Sequence, residues 1–516
     1  MSSRPTAPLR RRVWSTLGLL LACALLLLLS FPPADLGFLA WVGLVPLMVA
    51  LRGRGPGEAF RLSLFCGAVF YLGLLWWVLQ LAVYSPWAAL GLLLLCLYLG
   101  AYVGLWGAVW ASLPPARRIW AAPAAWVGLE LVRFHLLSGF PWGALGYSQY
   151  RALPLLQTAR AGGVHALTFL IVLVATGLAQ AVLRARTAKR DLAIAAVAVA
   201  VCLAYGLFAL GQALQDLGDG DDAITVALVQ GNVPMDVKWD DQTVFDILER
   251  HVAFSREAAG ADIVVWSETA LPTLLPDVVI TPMVESTAAE LGVWILTGGM
   301  SAGRGDLLRN SVFAFSPEAG LCPEVYSKRR LVPFGELIPP WLPLWLRDAL
   351  PPVGNFEAGT SAEPLPTPGA PVGVLICYES IFPDLARESC LAGATWLCNV
   401  TNDAWFGRTA AAEQHAAMAV FRAVETGRPL ARCANTGVTM TVDRWGRKRV
   451  CRSQEGELTF FNGVLRAPII PSSSPTPALV LGEWPAAASL AVALCALLVG
   501  RKLDAGAAGG HNTRGE

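Results

Sequence analysis

The sequence predicts a protein with two kinds of structure: a polytopic α-helical membrane region of about eight transmembrane helices, and one α/β domain. Hydrophobic residues make up 55% of the 516-residue chain and charged residues only 15%, well below the roughly 25% that soluble domains carry. Long apolar segments recur up to residue 213 and again near the C-terminus. Between them, strand-like and helix-like patterns alternate, which is typical of an α/β domain.

The membrane region is predicted from segments that can cross the roughly 30 Å of hydrocarbon in a bilayer. They lie at residues 13–30, 36–51, 60–83, 87–112, 119–138, 163–183, 192–213 and 479–500. The second segment is short. The fifth contains Glu130 and Arg133, one helical turn apart, which fits either a structural ion pair inside the membrane or a contact with a lipid headgroup.

The charges of the loops predict the orientation of these segments, because Lys and Arg concentrate in cytoplasmic loops. The N-terminus, the second, fourth and sixth loops and the tail are basic, whereas the first and third loops have no basic residue and the fifth breaks the pattern. We therefore expect both termini in the cytoplasm. The predicted parts are a membrane region at 1–213 with about seven helices, a domain on the far side of the membrane at 214–478, a transmembrane helix at 479–500 and a cytoplasmic tail at 501–516.

The α/β domain is predicted from short β-rich segments that are separated by helical patterns. The predicted strands lie at 224–230, 261–266, 293–299, 311–315, 372–376, 395–400 and 438–442. The predicted helices lie at 243–259, 282–291 and 411–425. A stretch rich in Pro and Ser at 465–477 is predicted to be the linker back to the membrane.

Composition and motifs argue against several classes of function. The net charge of +1 is unlike that of a nucleic-acid-binding protein, which needs a basic surface. The 11 cysteines include no CxxC pair and the 5 histidines form no HExxH motif, so neither a zinc site nor a disulfide framework is indicated. The sequence has no P-loop, and no dinucleotide-binding glycine motif in a strand–helix context.

Three predicted strand ends in the α/β domain carry reactive side chains. One apolar strand leads to Glu268, another segment leads to Lys328, and the apolar run 372–376 stops at Cys377. A strand that ends at a tight turn presents a nucleophile and frees backbone N–H groups for an oxyanion. Each residue alone also fits a surface charge or, for Cys377, a core thiol. Together, in one domain, they indicate a catalytic triad.

These residues carry a resemblance to a known family. Glu, Lys and Cys in this chain order, within the segments WSET (266–269) and ICYE (376–379), resemble the carbon–nitrogen hydrolase (nitrilase) superfamily. Ser267 stands where many of its members have Pro. Because a polytopic membrane region precedes the domain, the whole chain resembles the apolipoprotein N-acyltransferase family. Further matching segments are 139–149, 230–239, 328–336 and 402–407.

The resemblance implies a fold and a reaction. The domain would be a nitrilase-like αββα sandwich on the periplasmic side of a bacterial inner membrane. Cys377 would attack the sn-1 ester of a phospholipid and hold the acyl chain as a thioester. The α-amino group of the S-diacylglyceryl cysteine of an apolipoprotein would then take it. Glu268 would be the general base and Lys328 would stabilise the oxyanion. No cofactor, metal or nucleic acid is implied, and a monomer is expected.

The resemblance also implies supporting residues. Glu336 would be a second carboxylate that positions the site. Tyr378 and Glu379 would shape the pocket, and Trp239 would contribute to lipid binding. Tyr378 and Trp239 equally fit plain core packing.

The segment 331–352, which follows Lys328, is rich in Leu and Trp. It fits either buried packing or, as we expect, a mobile lid that dips into the membrane interface, where Trp side chains are favoured. Its candidate residues are Trp341 and Trp345, and Trp405 and Phe406 are further candidates outside the segment.

Two other functions stay open at this point. One is a membrane-tethered amidohydrolase of the nitrilase type that uses the same triad with water as the acceptor. The other is a transporter or scaffold with a degenerate outer domain. Formation of an acyl-enzyme from phospholipid, followed by its discharge by a diacylated lipopeptide, distinguishes the acyltransferase from both.

Overall fold

The computed structural model describes residues 7–83, 85–215, 223–238, 243–349 and 354–509. The chain divides into two compact units. The first, which we call the membrane unit, contains Met1–Leu207 and Glu483–Glu516. The second, which we call the α/β unit, contains Phe208–Gly482.

The membrane unit is built from helices joined by loops of different lengths. They are α1 (Ala7–Leu29), α2 (Ala40–Gly43), α3 (Val45–Ala50), α4 (Pro56–Leu74), α5 (Ala88–Ser112), α6 (Pro115–His135), α7 (Leu153–Leu156), α8 (Ala159–Val182), α9 (Ala188–Gln215), whose last turns belong to the α/β unit, and α17 (Trp484–Gly509). Within the described residues, 4 helices are long and apolar enough to cross a membrane, namely α4, α5, α8 and α9. The chain therefore has the composition and helices of a membrane protein.

The other predicted spans take shorter or more polar forms. The apolar parts of the first, second and last are Ser15–Leu29, Gly37–Ala50 and Trp484–Leu498. The last predicted span is interrupted at Gly482, between α16 (Pro477–Leu481) and α17. Helix α6 is long but carries charged side chains near both ends. The number of eight spans stays a prediction.

Glycines allow close helix packing in the membrane unit. A side chain on Gly67 of α4 would lie 2.8 Å from Val103 of α5, and one on Gly100 of α5 would lie 2.9 Å from the backbone of Ala68. Small residues at such crossings let helix backbones approach closely, which is the usual source of helix association in lipid.

The α/β unit contains two mixed β-sheets. The strands are β1 (Ile224–Gln230), β2 (Ile263–Trp266), β3 (Trp294–Ala302), β4 (Leu308–Ser316), β5 (Gly320–Ser327), β6 (Val372–Ile376), β7 (Trp396–Thr401), β8 (Leu430–Ala434), β9 (Met440–Val442), β10 (Lys448–Val450) and β11 (Gly463–Ile469). One sheet has the order β11-β1-β2-β3-β4-β5 and the other β10-β9-β8-β7-β6.

The two sheets pack face to face and helices cover their outer faces. A core of buried side chains from both sheets, such as Val226, Val265, Val374 and Val400, lies between them. On the outer face of the six-stranded sheet lie α11 (Val244–Glu257) and α12 (Ile280–Leu291). Next to the five-stranded sheet lie α14 (Pro383–Leu391) and α15 (Ala411–Thr426). The predicted αββα sandwich is confirmed. The remaining helices of the unit are α10 (Met235–Lys238) and α13 (Leu344–Ala349).

Strand β11 corrects the predicted linker. Residues 465–469, which were expected to connect the domain to the membrane, belong to β11 and pair antiparallel with β1 from Ile224↔Ile469 to Gln230↔Gly463. The strand was missed because it contains Arg466 and Pro468 and alternates poorly. Pro is tolerated there because β11 is an edge strand.

Candidate active site

The candidate nucleophile Cys377 lies at the end of a buried strand. All five residues of β6 are buried, and a 3₁₀-helix (Cys377–Ile381) begins at the thiol. Cys377 has φ +53, a left-handed conformation that non-glycine residues rarely adopt and that clusters at functional sites. The residue is only 7% exposed. The strand therefore ends in a strained turn that presents the thiol.

The carboxylate of Glu268 is held in place on both of its oxygens. It follows β2, and its Oε2 accepts a hydrogen bond of 2.8 Å from the backbone N–H of Asn402. Its Oε1 accepts one of 2.8 Å from Asn310 Nδ2, and Lys328 Nζ lies 3.5 Å from the same oxygen. A carboxylate with three fixed neighbours is oriented before any substrate arrives.

The backbone beside Glu268 requires a glycine on the next strand. A Cβ on Gly298 of β3 would lie 2.4 Å from the backbone nitrogen of Thr269 and 2.7 Å from the carbonyl of Ser267. Thr269 itself has φ +44. The turn that carries the carboxylate thus lies directly against β3.

The ammonium group of Lys328 lies between two carboxylates. Directly after β5, its Nζ is 2.8 Å from Glu336 Oε1 and 3.5 Å from Glu268 Oε1, and the residue is 1% exposed. Burial acts to lower the pKa of Lys328, but the charges of Glu336 and Glu268 outweigh it and hold that pKa above its usual value. Lys328 therefore keeps a fixed positive charge.

The electrostatics of the thiol connect all three predicted catalytic residues. Burial raises the pKa of Cys377, the Glu268 carboxylate raises it further, and the Lys328 ammonium lowers it. Net, the pKa lies well above that of a free cysteine, so the resting residue is a thiol. Such a nucleophile needs a base to take its proton, and Glu268 is the carboxylate whose charge acts on it most strongly.

The predicted supporting residues take different positions. Glu336 holds Lys328, and its Oε2 accepts from the backbone N–H of Val332 at 2.8 Å. Tyr378 is half-buried and packs edge-on against Phe382. Trp239 lies outside the described residues.

Glu379 is fully buried and lies in the short helix that begins at Cys377. Its oxygens accept from Ile376 N at 2.8 Å, Tyr326 Oη at 2.9 Å, Arg329 N at 2.7 Å and Arg330 N at 3.1 Å. It thus ties the turn of the nucleophile to the segment that follows Lys328.

The residues expected in the lid are largely exposed. Trp341 is 43% exposed and Trp345, in α13, is 72% exposed. Trp405 is exposed and Phe406 half-buried in a second short helix, Asp403–Phe406. Large apolar side chains on a surface are typical of a binding surface for a partner or a lipid.

Two polar residues of the site were missed from the sequence. Asn310 of β4 donates to Glu268 and, at 3.3 Å, to Glu336. Lys238 of α10 is buried and donates from Nζ to the backbone carbonyl of Glu268 at 2.9 Å, and burial lowers its pKa to about 8. An Asn directly before the predicted strand 311–315 was the available signal for Asn310. The signal for Lys238 was its place in the matched segment 230–239.

The intramembrane pair Glu130 and Arg133 is part of a buried polar cluster. Arg133 donates to the carbonyls of Phe140 at 2.9 Å and Trp142 at 2.6 Å. Glu130 accepts from Trp126 and from the backbone of Leu145, and its Oε1 lies 3.9 Å from Arg133 Nη2. These contacts favour the structural interpretation over a headgroup contact.

Within the described residues, no group of three His, Cys, Asp or Glu side chains is placed to hold a metal ion. All 11 cysteines lie in the described ranges and none forms a disulfide.

Comparisons with known proteins cover both units. Residues 23–177 match the family model of the apolipoprotein N-acyltransferase N-terminal domain, and residues 225–465 match that of the carbon–nitrogen hydrolases. Among solved structures, the chain is similar to a carbon–nitrogen hydrolase from Helicobacter pylori G27, with 15% identity and a TM-score of 0.37 over 52% of this chain and 95% of that one.

Curated relatives cover most of the chain. The apolipoprotein N-acyltransferase of Geobacter metallireducens is 36% identical over 82% of this chain and 84% of its own length. That of Methylococcus capsulatus is 33% identical over 93% of this chain and 94% of its own length. With this identity along both units, the chain belongs to the apolipoprotein N-acyltransferase family.

Proposed function

We propose that this protein transfers a fatty acyl chain from the sn-1 ester of a phospholipid, through a thioester on Cys377, to the α-amino group of the S-diacylglyceryl cysteine of apolipoproteins. The observation that carries the proposal is a buried thiol on which the charges of Glu268 and Lys328 both act, with Lys328 held between Glu268 and Glu336, in a member of this family. The product is a triacylated lipoprotein.

The first half-reaction forms the acyl-enzyme. Glu268 takes the proton of the Cys377 thiol as the sulfur attacks the ester carbonyl carbon. Negative charge develops on the carbonyl oxygen, where Lys328 Nζ and the backbone N–H of Tyr378 stabilise it. The ester C–O bond then breaks. Glu268 returns the proton to the departing oxygen, which leaves as lysophospholipid, and the acyl chain stays on sulfur.

The second half-reaction uses the same groups to move the acyl chain from the sulfur of Cys377 to the amine of the acceptor. The neutral α-amine of the diacylated cysteine attacks the thioester carbonyl, and Glu268 takes a proton from its nitrogen. As the tetrahedral intermediate collapses, the C–S bond breaks and the proton returns to sulfur. An amide and the resting thiol result. One base serves both steps because Asn402 and Asn310 keep its carboxylate in place.

We place the protein in the bacterial inner membrane as a multi-pass monomer, with the catalytic domain 214–478 in the periplasm and both termini in the cytoplasm. The distribution of Lys and Arg among the loops supports this orientation. Phospholipid donor and lipoprotein acceptor both present acyl chains to the membrane surface. The exposed apolar residues of 331–349 suit a lid at that surface, and Trp239 is proposed to contribute to lipid binding.

Mass spectrometry of the intact, detergent-purified protein after incubation with phospholipid tests the reaction. The wild-type protein is expected to gain one acyl mass that hydroxylamine removes, and Cys377→Ala is expected to gain none. Cys390→Ala, which removes another buried thiol of the α/β unit, is the matched control and should acylate normally.

The acceptor is tested by adding a synthetic diacylated lipopeptide to the acyl-enzyme. The proposal expects the lipopeptide to discharge the thioester and gain the acyl mass as an amide. Discharge to water alone would indicate the amidohydrolase. The absence of any adduct on folded wild-type protein would contradict acyl transfer altogether.

A further inference from the structure

The backbone carbonyl of the nucleophile is held from behind by two buried side chains. Cys377 O lies 3.1 Å from His415 Nε2 on α15 and accepts a hydrogen bond of 3.0 Å from Ser380 Oγ. The Ser380 hydroxyl and His415 Nε2 are themselves 2.9 Å apart. Both side chains are buried, at 0% and 1% exposure. Because a carbonyl oxygen only accepts, the bond from the imidazole places a proton on Nε2.

His415 is in turn fixed by a buried ion pair. Its Nδ1 lies 3.0 Å from Asp403 Oδ1 and 3.1 Å from Arg432 Nη2, and Arg432 donates to Asp403 Oδ2 at 2.7 Å. A Cβ on Gly437 would lie 2.0 Å from that same Asp403 oxygen. The imidazole therefore has little freedom to turn away from the nucleophile.

The geometry of the peptide bond links these contacts to the site. The peptide group between Cys377 and Tyr378 is planar, and in the trans form its C=O and N–H point in opposite directions. Fixing the carbonyl of Cys377 thus fixes the direction of the N–H of Tyr378. The left-handed φ of Cys377 makes this fixation necessary, since a strained residue keeps its conformation only when its surroundings hold it.

We propose that His415 and Ser380 are positioning residues: by anchoring the Cys377 carbonyl, they aim the backbone N–H of Tyr378 at the oxyanion of both half-reactions. The inference rests on the proposed function. Neither residue touches the substrate. Their effect is on the rate at which carbonyl chemistry proceeds at Cys377, while the sulfur itself keeps its position and its base.

The test compares two reactions of the same thiol in the full-length protein. Acylation by phospholipid passes through an oxyanion, whereas alkylation by iodoacetamide does not. His415→Ala is expected to slow the single-turnover formation of the thioester about 10- to 100-fold, less than the loss of an oxyanion donor itself. Alkylation of Cys377 and KM for the phospholipid are expected to stay within about twofold, because binding and the sulfur are unchanged.

Three further variants sharpen the result. His415→Gln keeps an N–H close to the position of Nε2 and is expected to recover most of the acylation rate. Ser380→Ala removes one of the two bonds and is expected to fall between wild type and His415→Ala. His251→Gln changes another buried histidine of the α/β unit and should acylate normally, as a control for the loss of any buried imidazole.

Several results would overturn the inference. One is acylation at the wild-type rate in both His415→Ala and Ser380→Ala. A second is a parallel fall of acylation and alkylation, which would mean that the thiol itself has moved. A third is a His415→Gln variant no faster than His415→Ala. If His415→Ala does not fold, the acylation and alkylation rates of Ser380→Ala are compared with those of the wild type, and unchanged acylation in Ser380→Ala overturns the inference. A wild-type protein that forms no thioester would instead contradict the proposed function.

Discussion

The surroundings of Cys377 hold its side chain in the protonated, thiol form. Burial and the Glu268 carboxylate both raise its pKa, and Lys328 only partly offsets them. A standing thiolate would be open to oxidation. In the proposed mechanism, proton transfer to Glu268 at the moment of attack avoids a standing thiolate.

Changing any one residue of the predicted triad is expected to slow thioester formation strongly. Glu268→Gln removes the base, and Lys328→Met removes the positive charge at the oxyanion, each of which should slow thioester formation by about 10²- to 10³-fold or more. Single-turnover mass spectrometry with phospholipid measures the rate. Glu290→Gln, which changes an exposed carboxylate paired with Arg256, is the control. A Lys328→Met protein that acylates at the normal rate would contradict the role given to Lys328.

A second prediction concerns a buried histidine and acid stability. Burial lowers the pKa of His251 from 6.5 to about 4, so the unfolded chain binds a proton more readily than the folded one. Stability from the neutral ring is complete above pH 6.5 and is lost as the pH falls toward 4, about 2 kcal/mol of it at pH 5.

His251→Gln should remove this part of the pH dependence. Thermal melting of the detergent-purified protein at pH 7.5 and pH 5 measures it. The drop in Tm between the two values should be smaller in the variant by about 4–8 °C, with pH 7.5 as the internal reference. Equal drops in variant and wild type would show that His251 is not neutral in the fold.

The predicted triad could be found from local sequence patterns, whereas the missed residues depend on contacts between distant parts of the chain. Glu268, Lys328 and Cys377 each end or follow a strand, and a local pattern marks such ends. Asn310 and Lys238 act on Glu268 from a different strand and a short helix. Their role comes from contacts across the fold, which composition and periodicity do not contain.

At the scale of elements, the strands that were predicted are the buried ones and those that were missed lie mostly at edges. β6 and β7 are buried throughout and were predicted within a residue. β10 and β11 were missed, and β5 was predicted only from its end before Lys328. All three are half-exposed, so their side chains do not repeat in a simple apolar pattern. β8 is fully buried but was missed because it contains Arg432, which forms a buried ion pair with Asp403.

The exposed segment 331–349 is the element expected to control access of lipid. Trp341→Ser with Trp345→Ser should raise KM for phospholipid by about 10²-fold or more, because each exposed indole loses about 1.5–3 kcal/mol of burial in lipid and about 1.4 kcal/mol corresponds to a factor of ten. Acylation by a short-chain, water-soluble ester should not change, since the triad is intact. Trp484→Ser, an exposed tryptophan of the membrane unit, is the control. Unchanged lipid turnover in the double variant would rule out the lid.

For the whole molecule, the orientation of the chain in the membrane decides on which side the candidate site can bind its substrates. Glu455 of the α/β unit and Arg186 of the membrane unit are both exposed. In intact bacteria, a membrane-impermeant maleimide should label Glu455→Cys and not Arg186→Cys, above the background of the wild-type cysteines. After permeabilisation both should react. The opposite pattern would place the α/β unit in the cytoplasm and contradict the proposed localisation.

The pairing of β1 with β11 also determines when, during synthesis, the larger sheet can be completed. β1 is an inner strand of its sheet only when β11 is present, and Ile224 pairs with Ile469. At about 5–20 residues per second, the ribosome needs about 10–50 s to make the chain between them. During that time β1 is an open edge, available for wrong pairing. The α/β unit therefore closes its larger sheet only after nearly all of its chain has been made, and a chain that stops before residue 463 is expected to aggregate rather than fold.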